Sequence, residues 1–149
     1  MFALGNTCKV SRGALSLLEH VEVLRLSCCS HGNRQAAVAH GTRIWRASSD
    51  DNSTIYVALF NVVGDVSTPS DVSVTLAELE IPCSWTGGAL AVRGVLMMSN
   101  ATVKSLKPGA TSLSLSVNRH GTRLVAVTRE ASKLSGGRWR YRRAYLQGN

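Results

Sequence analysis

The sequence predicts a mainly β protein, an antiparallel β-sandwich preceded by one helix. Three observations support this fold class. Of the 149 residues 44% are hydrophobic but only 5% are aromatic, short apolar runs repeat with period two, and turn residues separate these runs at close spacing. No helical stretch lies between the runs, as a parallel βαβ arrangement would require. The length fits one domain with a packed core of Val, Leu, Ile and Ala.

Six stretches are predicted as strands because they are short apolar runs with a period of two, bounded by turn residues. The clearest is SLSLSV (112–117), where three apolar residues fall on one face and three serines on the other. IYVALF (55–60) is apolar on both faces, so we expect a central strand with Phe60 packed in the core. The remaining strand candidates are 42–45, 72–76, 89–98 and 123–127.

One helix is predicted, over residues 14–26, because an apolar stripe repeats there with helical spacing. The stripe consists of Ala14, Leu17, Leu18, Val21 and Leu24. The segment that follows, 27–42, is rich in Ser, Gly, Asn and His and predicts a connection rather than an ordered element.

The net charge of +8 is concentrated at the end of the chain. Residues 129–149 hold six basic groups against Glu130 alone, and we expect them to form a disordered basic tail. The run RWRYRR (138–143) alternates arginines with rings, a pattern that can bind nucleic acid. A tail this short would give only salt-sensitive, non-specific binding, so we disfavour nucleic acid as a partner.

Other features bear on compartment. No window approaches the roughly 18 apolar residues of a membrane helix, so no membrane partner is expected. No signal peptide is recognisable in the chain, which leaves localisation open. Asn52 and Asn100 each begin an Asn-x-Thr/Ser sequon and are glycosylation candidates for a secretory compartment.

The four cysteines are Cys8, Cys28, Cys29 and Cys83. Because adjacent cysteines pair only with strain, we expect any disulfide to be longer range, without a choice between pairings. CCSH (28–31) lacks a second Cys/His pair at zinc-finger spacing. We therefore expect no metal and no cofactor.

Several phrases occur in an order that resembles the C-terminal part of α-galactosidases of glycoside hydrolase family 27. They are LGN (4–6) with KV (9–10), TRIW (42–45), VALFN (57–61), VTLAELEIP (74–82) and HGTRLVAVT (120–128). The resemblance implies three parts: 1–38, the last barrel loop and helix with a linker; 39–128, the C-terminal β-sandwich domain; and 129–149, the tail. Its partners would be galactoside-containing glycans, bound through a full-length relative that is typically secreted or lysosomal.

The chain departs from the family pattern at three places. Thr7 stands where the family usually has Asp, and Ser27-Cys28-Cys29 stands where it usually reads Asn-Gln-Asp. Arg93-Gly94-Val95-Leu96 replaces Arg-Asp-Leu-Trp, which removes a packing aromatic residue.

The full-length family hydrolyses terminal α-galactosides, and the resemblance places both catalytic aspartates before Met1. No residue of this chain inherits a catalytic role, so we predict a fragment that is inactive alone. The alternative is a non-catalytic carbohydrate-binding or interaction module. Trp85, beside Gly87-Gly88, is its expected exposed ring. Sugar preference and oligomeric state stay open.

Overall fold

The computed structural model describes residues 20–39, 41–62, 70–96 and 102–130. These residues form two helices and eight strands. In chain order they are α1 (Val21–Cys29), β1 (Ser30–Ala39), β2 (Thr42–Ser49), β3 (Thr54–Asn61), β4 (Ser70–Thr75), α2 (Cys83–Thr86), β5 (Leu90–Gly94), β6 (Thr102–Leu106), β7 (Ser112–Val117) and β8 (Thr122–Arg129). Neither helix in these ranges is long and apolar enough to cross a membrane.

The strands form two antiparallel sheets. A six-stranded sheet has the order β1-β2-β3-β8-β5-β6, and β4 pairs with β7 in a two-stranded sheet. The chain leaves the larger sheet after β3 and after β6, and β8 returns between β3 and β5. This non-sequential order is Greek-key-like and confirms the predicted antiparallel sandwich.

The main core lies between the two sheets and is built from alternate residues of each strand. Val57, Leu59, Val125 and Val127 are almost completely buried on β3 and β8. Leu113 and Val117 of β7 face them from the smaller sheet, while Ser112 and Ser116 point to solvent. Each large aliphatic side chain buried in this way contributes about 1.5–3 kcal/mol.

All six predicted strands are present, although the one expected over 89–98 ends at Gly94. The prediction of a connection over 27–42 is wrong, because residues 30–39 form β1. β1 is an edge strand joined to β2 by backbone hydrogen bonds, and its side chains are exposed or half-buried. Such a strand needs no apolar alternation. Phe60 is half-buried and lies outside the core, contrary to expectation.

The structure describes the second half of the predicted helix, which follows His20 in an extended conformation. The helix runs from Val21 to Cys29, and residues 14–19 of the prediction lie outside the described residues. The two members of the predicted stripe that the structure describes, Val21 and Leu24, are 64% and 48% exposed. The side of the helix that faces the sheet is instead formed by Val23 and Leu26, which are partly buried. Of the predicted tail, residues 131–149 also lie outside the described residues, and the division into three parts stays a prediction.

Replacing Leu113 by Ala tests the core. Leu113 is fully buried, so we expect the free energy of unfolding to fall by about 2–5 kcal/mol, from lost burial and the cavity that remains. Urea denaturation followed by circular dichroism measures the change. Ser112→Ala, on the solvent face of the same strand, is the matched control. A loss from Leu113→Ala no larger than that of the control would contradict the proposed packing.

Candidate functional site

The outer face of the six-stranded sheet, opposite the main core, carries helix α1. Val23 and Leu26 of the helix pack against a second, smaller cluster formed by Ala47, Tyr56, Val95 and Ala126. Three of these residues come from β2, β3 and β8 and the fourth directly follows β5, and these four strands lie side by side in the sheet. The helix therefore rests on the middle of the sheet and covers only part of its outer face.

An ion pair fixes the beginning of α1 to the sheet. The guanidinium of Arg93 donates two hydrogen bonds to the carboxylate of Glu22, one of them 2.6 Å long and both from its terminal nitrogens. The two side chains are 26% and 18% exposed, so solvent screens the pair only in part. The hydrogen bond to Glu22 holds the pKa of Arg93 above its ordinary value.

A groove of about 420 Å³ runs between α1 and the sheet. We call it the α1 groove. Its floor is formed by outer-face residues of three adjacent strands, its wall by the helix, and one end by the junction of α1 with β1. The lining residues are Val23, Leu26, Ser27, Ser30, Asn33, Trp45, Arg46, Ala47, Tyr56, Ala58 and Leu124.

Two further cavities adjoin the helix. One, of about 570 Å³, is lined by polar residues around the Glu22–Arg93 pair, and the other, of about 340 Å³, lies beside the turn between β2 and β3. Tyr56 lines all three cavities. Its burial, and then the charge of Glu22, raise its pKa. The helix thus contacts the sheet along a narrow line with open space on each side.

A β-bulge shapes the end of the α1 groove. The pairing of β1 with β2 jumps from His31↔Ser48 to Arg34↔Arg46, so two residues of β1 oppose one of β2. Gly32 occupies the bulge with a φ of 63°, a left-handed conformation that favours glycine. Asn33, the other residue of the bulge, lines the α1 groove.

Two carboxylates of the described residues cap turns. Asp51 accepts hydrogen bonds from the Ser49 hydroxyl and from the backbone and hydroxyl of Ser53, which lower its pKa to about 2. Its stabilising effect on the turn is therefore present above its unfolded pKa near 4 and is lost as pH falls toward 2. Glu78 accepts from the backbone and hydroxyl of Thr75, which also lower its pKa.

Glu80 joins the turn after β4 to the larger sheet. Its carboxylate pairs with Arg34 at 2.7 Å and with the buried Arg46 at 3.0 Å. Arg46 also donates to the hydroxyl of Ser48 at 2.6 Å. Glu22, Asp51, Glu78 and Glu80 thus act as turn caps and ion-pair partners, and the two lowered carboxyl pKa values are the opposite of what a general acid needs.

The structure places the predicted site residues apart from one another. Trp85, in α2, is half-buried and packs against the main core, whereas Trp45 is the exposed ring, at 45%. Asn52 lies exposed in the turn between β2 and β3, with His31 Nε2 3.1 Å from its Oδ1. Asn100 lies outside the described residues. The sequence pattern does not single out Trp45 and so does not predict its place beside the groove.

The expectation of a longer-range disulfide is wrong for the cysteines that the structure describes. Cys28 is joined to its neighbour Cys29 at the end of α1, and Cys83 is free and exposed. Cys8 lies outside the described residues. Within the described ranges no group of three or more His, Cys, Asp or Glu side chains is placed to hold a metal ion.

The fold defines the chain as a β-sandwich of the kind found at the C-terminal end of family 27 glycoside hydrolases. It is similar to a family 27 β-L-arabinopyranosidase from Geobacillus stearothermophilus, with 23% identity and a TM-score of 0.65 over 83% of this chain and 25% of that one. A variant of that enzyme in complex with arabinose gives 24% identity and 0.63 over 80% of this chain and 24% of that one.

A protein from Bacillus halodurans C-125, whose name proposes an α-N-acetylgalactosaminidase, gives 20% identity and a TM-score of 0.66 over 82% of this chain and 25% of that one. No protein-family model matches the sequence, and comparison with curated proteins gives no match. The expected resemblance to family 27 is confirmed for the fold. The chain spans about a quarter of the length of these structures.

Replacing Glu22 by Gln tests how α1 is held. The variant removes the charge that Arg93 pairs with in a partly buried site, and we expect the free energy of unfolding to fall by about 1–3 kcal/mol. Amide hydrogen exchange across residues 21–29 should accelerate more than exchange in β3 and β8. Asp71→Asn, an exposed acid on β4, is the control. Unchanged protection of the helix amides would show that the ion pair does not fix the helix.

Proposed function

We propose that this chain is the C-terminal β-sandwich of a family 27-type glycoside hydrolase and that by itself it hydrolyses no glycoside. The observation that carries the proposal is the use of its acids. Retaining glycosidases need two carboxyl groups about 5–5.5 Å apart, one a nucleophile and one a proton donor. In the described part of the chain Asp51, Glu78, Glu80 and Glu22 instead hold turns and ion pairs.

The exposed side of α1 also supports this proposal. The family resemblance assigns the helix to the last helix of the barrel, whose outer residues pack on the barrel wall. Val21 and Leu24 provide such a surface, because both are apolar and about half or more exposed. Burying an apolar side chain of this size against a barrel would contribute about 1.5–3 kcal/mol.

The substrates of the whole enzyme would be α-galactosides or glycosides of the same ring configuration. According to their names, the similar proteins act on β-L-arabinopyranosides and α-N-acetylgalactosaminides. Both sugars share the ring stereochemistry of α-D-galactose and differ only at the substituents on C2 or C5. A sandwich of this fold would accompany a barrel whose active site recognises this ring configuration.

The purified chain, assayed with the 4-nitrophenyl glycosides of all three sugars, should release no nitrophenol above the buffer rate. A family 27 enzyme containing its barrel is the positive control. Each acid of the described residues is also replaced singly by its amide. Turnover by the purified chain that one of these variants abolishes would contradict the proposal, because it would identify a catalytic carboxylate within the sandwich.

We further propose that Asn52 is glycosylated when the chain passes through a secretory compartment. The side chain is exposed at the tip of a hairpin, and Thr54 supplies the hydroxyl of the sequon. After expression in a secretory host, treatment with peptide N-glycosidase should lower the mass of the protein. The untreated Asn52→Gln variant should be lighter than the untreated wild type by one glycan. Asn100→Gln is the matched control for the second sequon. An unmodified Asn52 peptide in mass spectrometry of the secreted protein would contradict the proposal.

A further inference from the structure

Trp45 is the large ring that the described residues leave exposed beside a groove. It lies on the outer face of β2 and is 45% exposed, while Ala47, two residues further on the same face, is buried by α1. We infer that the α1 groove binds the pyranose ring of a neutral sugar, with the indole of Trp45 stacked on the apolar face of that ring. The inference deepens the proposed function and rests on it for the choice of a carbohydrate.

The strand register creates a recess in the groove that can take a sugar ring. Trp45 of β2 lies directly opposite Ala58 of β3, and Ala58 lies directly opposite Leu124 of β8. This row of large, small and large side chains leaves a recess above the methyl group of Ala58. Trp45 and Leu124 are two strand spacings apart, about 10 Å. A flat ring can lie in such a recess with one face on the indole.

Three small polar residues of the groove lie at one end, where the hydroxyls of a sugar can reach them. Ser27, Ser30 and Asn33 line this end, at the junction of α1 and β1. The hydroxyl of Ser30 donates to the carbonyl of Leu26 at 2.5 Å, which fixes the junction. Ser27 and Asn33 are exposed and offer a hydroxyl and an amide to a ligand. An apolar floor with a few polar groups at the rim is typical of small-molecule sites.

The charges around the groove favour a neutral ligand. Arg46 is the charged residue among the lining residues, and its terminal nitrogens already donate to Glu80 and Ser48. Of this guanidinium only the buried Nε has no partner, so a phosphate or carboxylate would find no pair of free arginine donors in the groove. The volume of about 420 Å³ lies in the range of ligand pockets and accommodates one or two sugar rings.

Titration with methyl α-D-galactopyranoside tests the inference, followed by indole and amide chemical shifts in NMR and by tryptophan fluorescence. We expect saturable shifts at Trp45, Asn33 and Leu124, with a dissociation constant on the order of 1 mM. Trp45→Ala should weaken binding at least about tenfold, as expected when an aromatic anchor is truncated. Trp45→Phe should retain part of the affinity. Trp85→Phe, a ring packed on the core, is the matched control.

Urea denaturation checks that Trp45→Ala folds as the wild type does, which its exposure predicts. The inference is overturned if the sugar shifts no resonance up to about 50 mM, far above the expected dissociation constant, or if Trp45→Ala binds as well as the wild type. It is also overturned if the groove resonances respond to the addition of a second protein but to no sugar. If the chain hydrolyses no glycoside and binds no sugar, the inference fails but the proposed function stands. If the chain hydrolyses a glycoside and binds the sugar in the groove, only the proposed function is refuted.

Discussion

The structure depends on the packing of β3 and β8 against the two-stranded sheet. The inner-face side chains of these two central strands, Val57, Leu59, Val125 and Val127, have almost no exposed surface. Because side chains alternate along a strand, this burial also dictates which residues face outward. A shift of one residue in the pairing would move Trp45, Ala58 and Leu124 into the core and valines into solvent. The main core therefore fixes the composition of the α1 groove.

The two faces of the six-stranded sheet consequently differ in packing quality. The inner face is filled continuously by residues from both sheets, whereas among the described residues one short helix covers the outer face, with open clefts on each side. Protein interiors are normally close-packed, so the clefts show that α1 is packed less completely on the sheet than the two sheets are on each other. A ligand can occupy the open space beside α1 at Trp45. On the exposed side of the helix, Val21 and Leu24 can contact an apolar surface. The two proposed contacts use different parts of the molecule.

The sequence predicted those strands whose burial imposes alternation and missed those whose burial does not. The strand over 112–117 could be predicted because three of its residues are buried in the core and alternate with serines. β1 was read as a connection because an edge strand with two irregularities is held by its backbone, and β6 was missed because Leu106 is its one buried residue. The groove had no local signal, since residues 23 to 124 form it. Only the non-local register of three strands places Trp45 beside Leu124.

The roles of four acids favour the proposed binding of a sugar over catalysis. A carboxyl group becomes a general acid when burial or a like charge raises its pKa. Asp51 and Glu78 accept hydrogen bonds that lower theirs, and Glu80 and Glu22 are bound to arginines. Recruiting any of them for catalysis would break a turn cap or an ion pair that holds the fold. Stacking on Trp45 requires no such exchange, because that ring contributes little to the core and is already exposed.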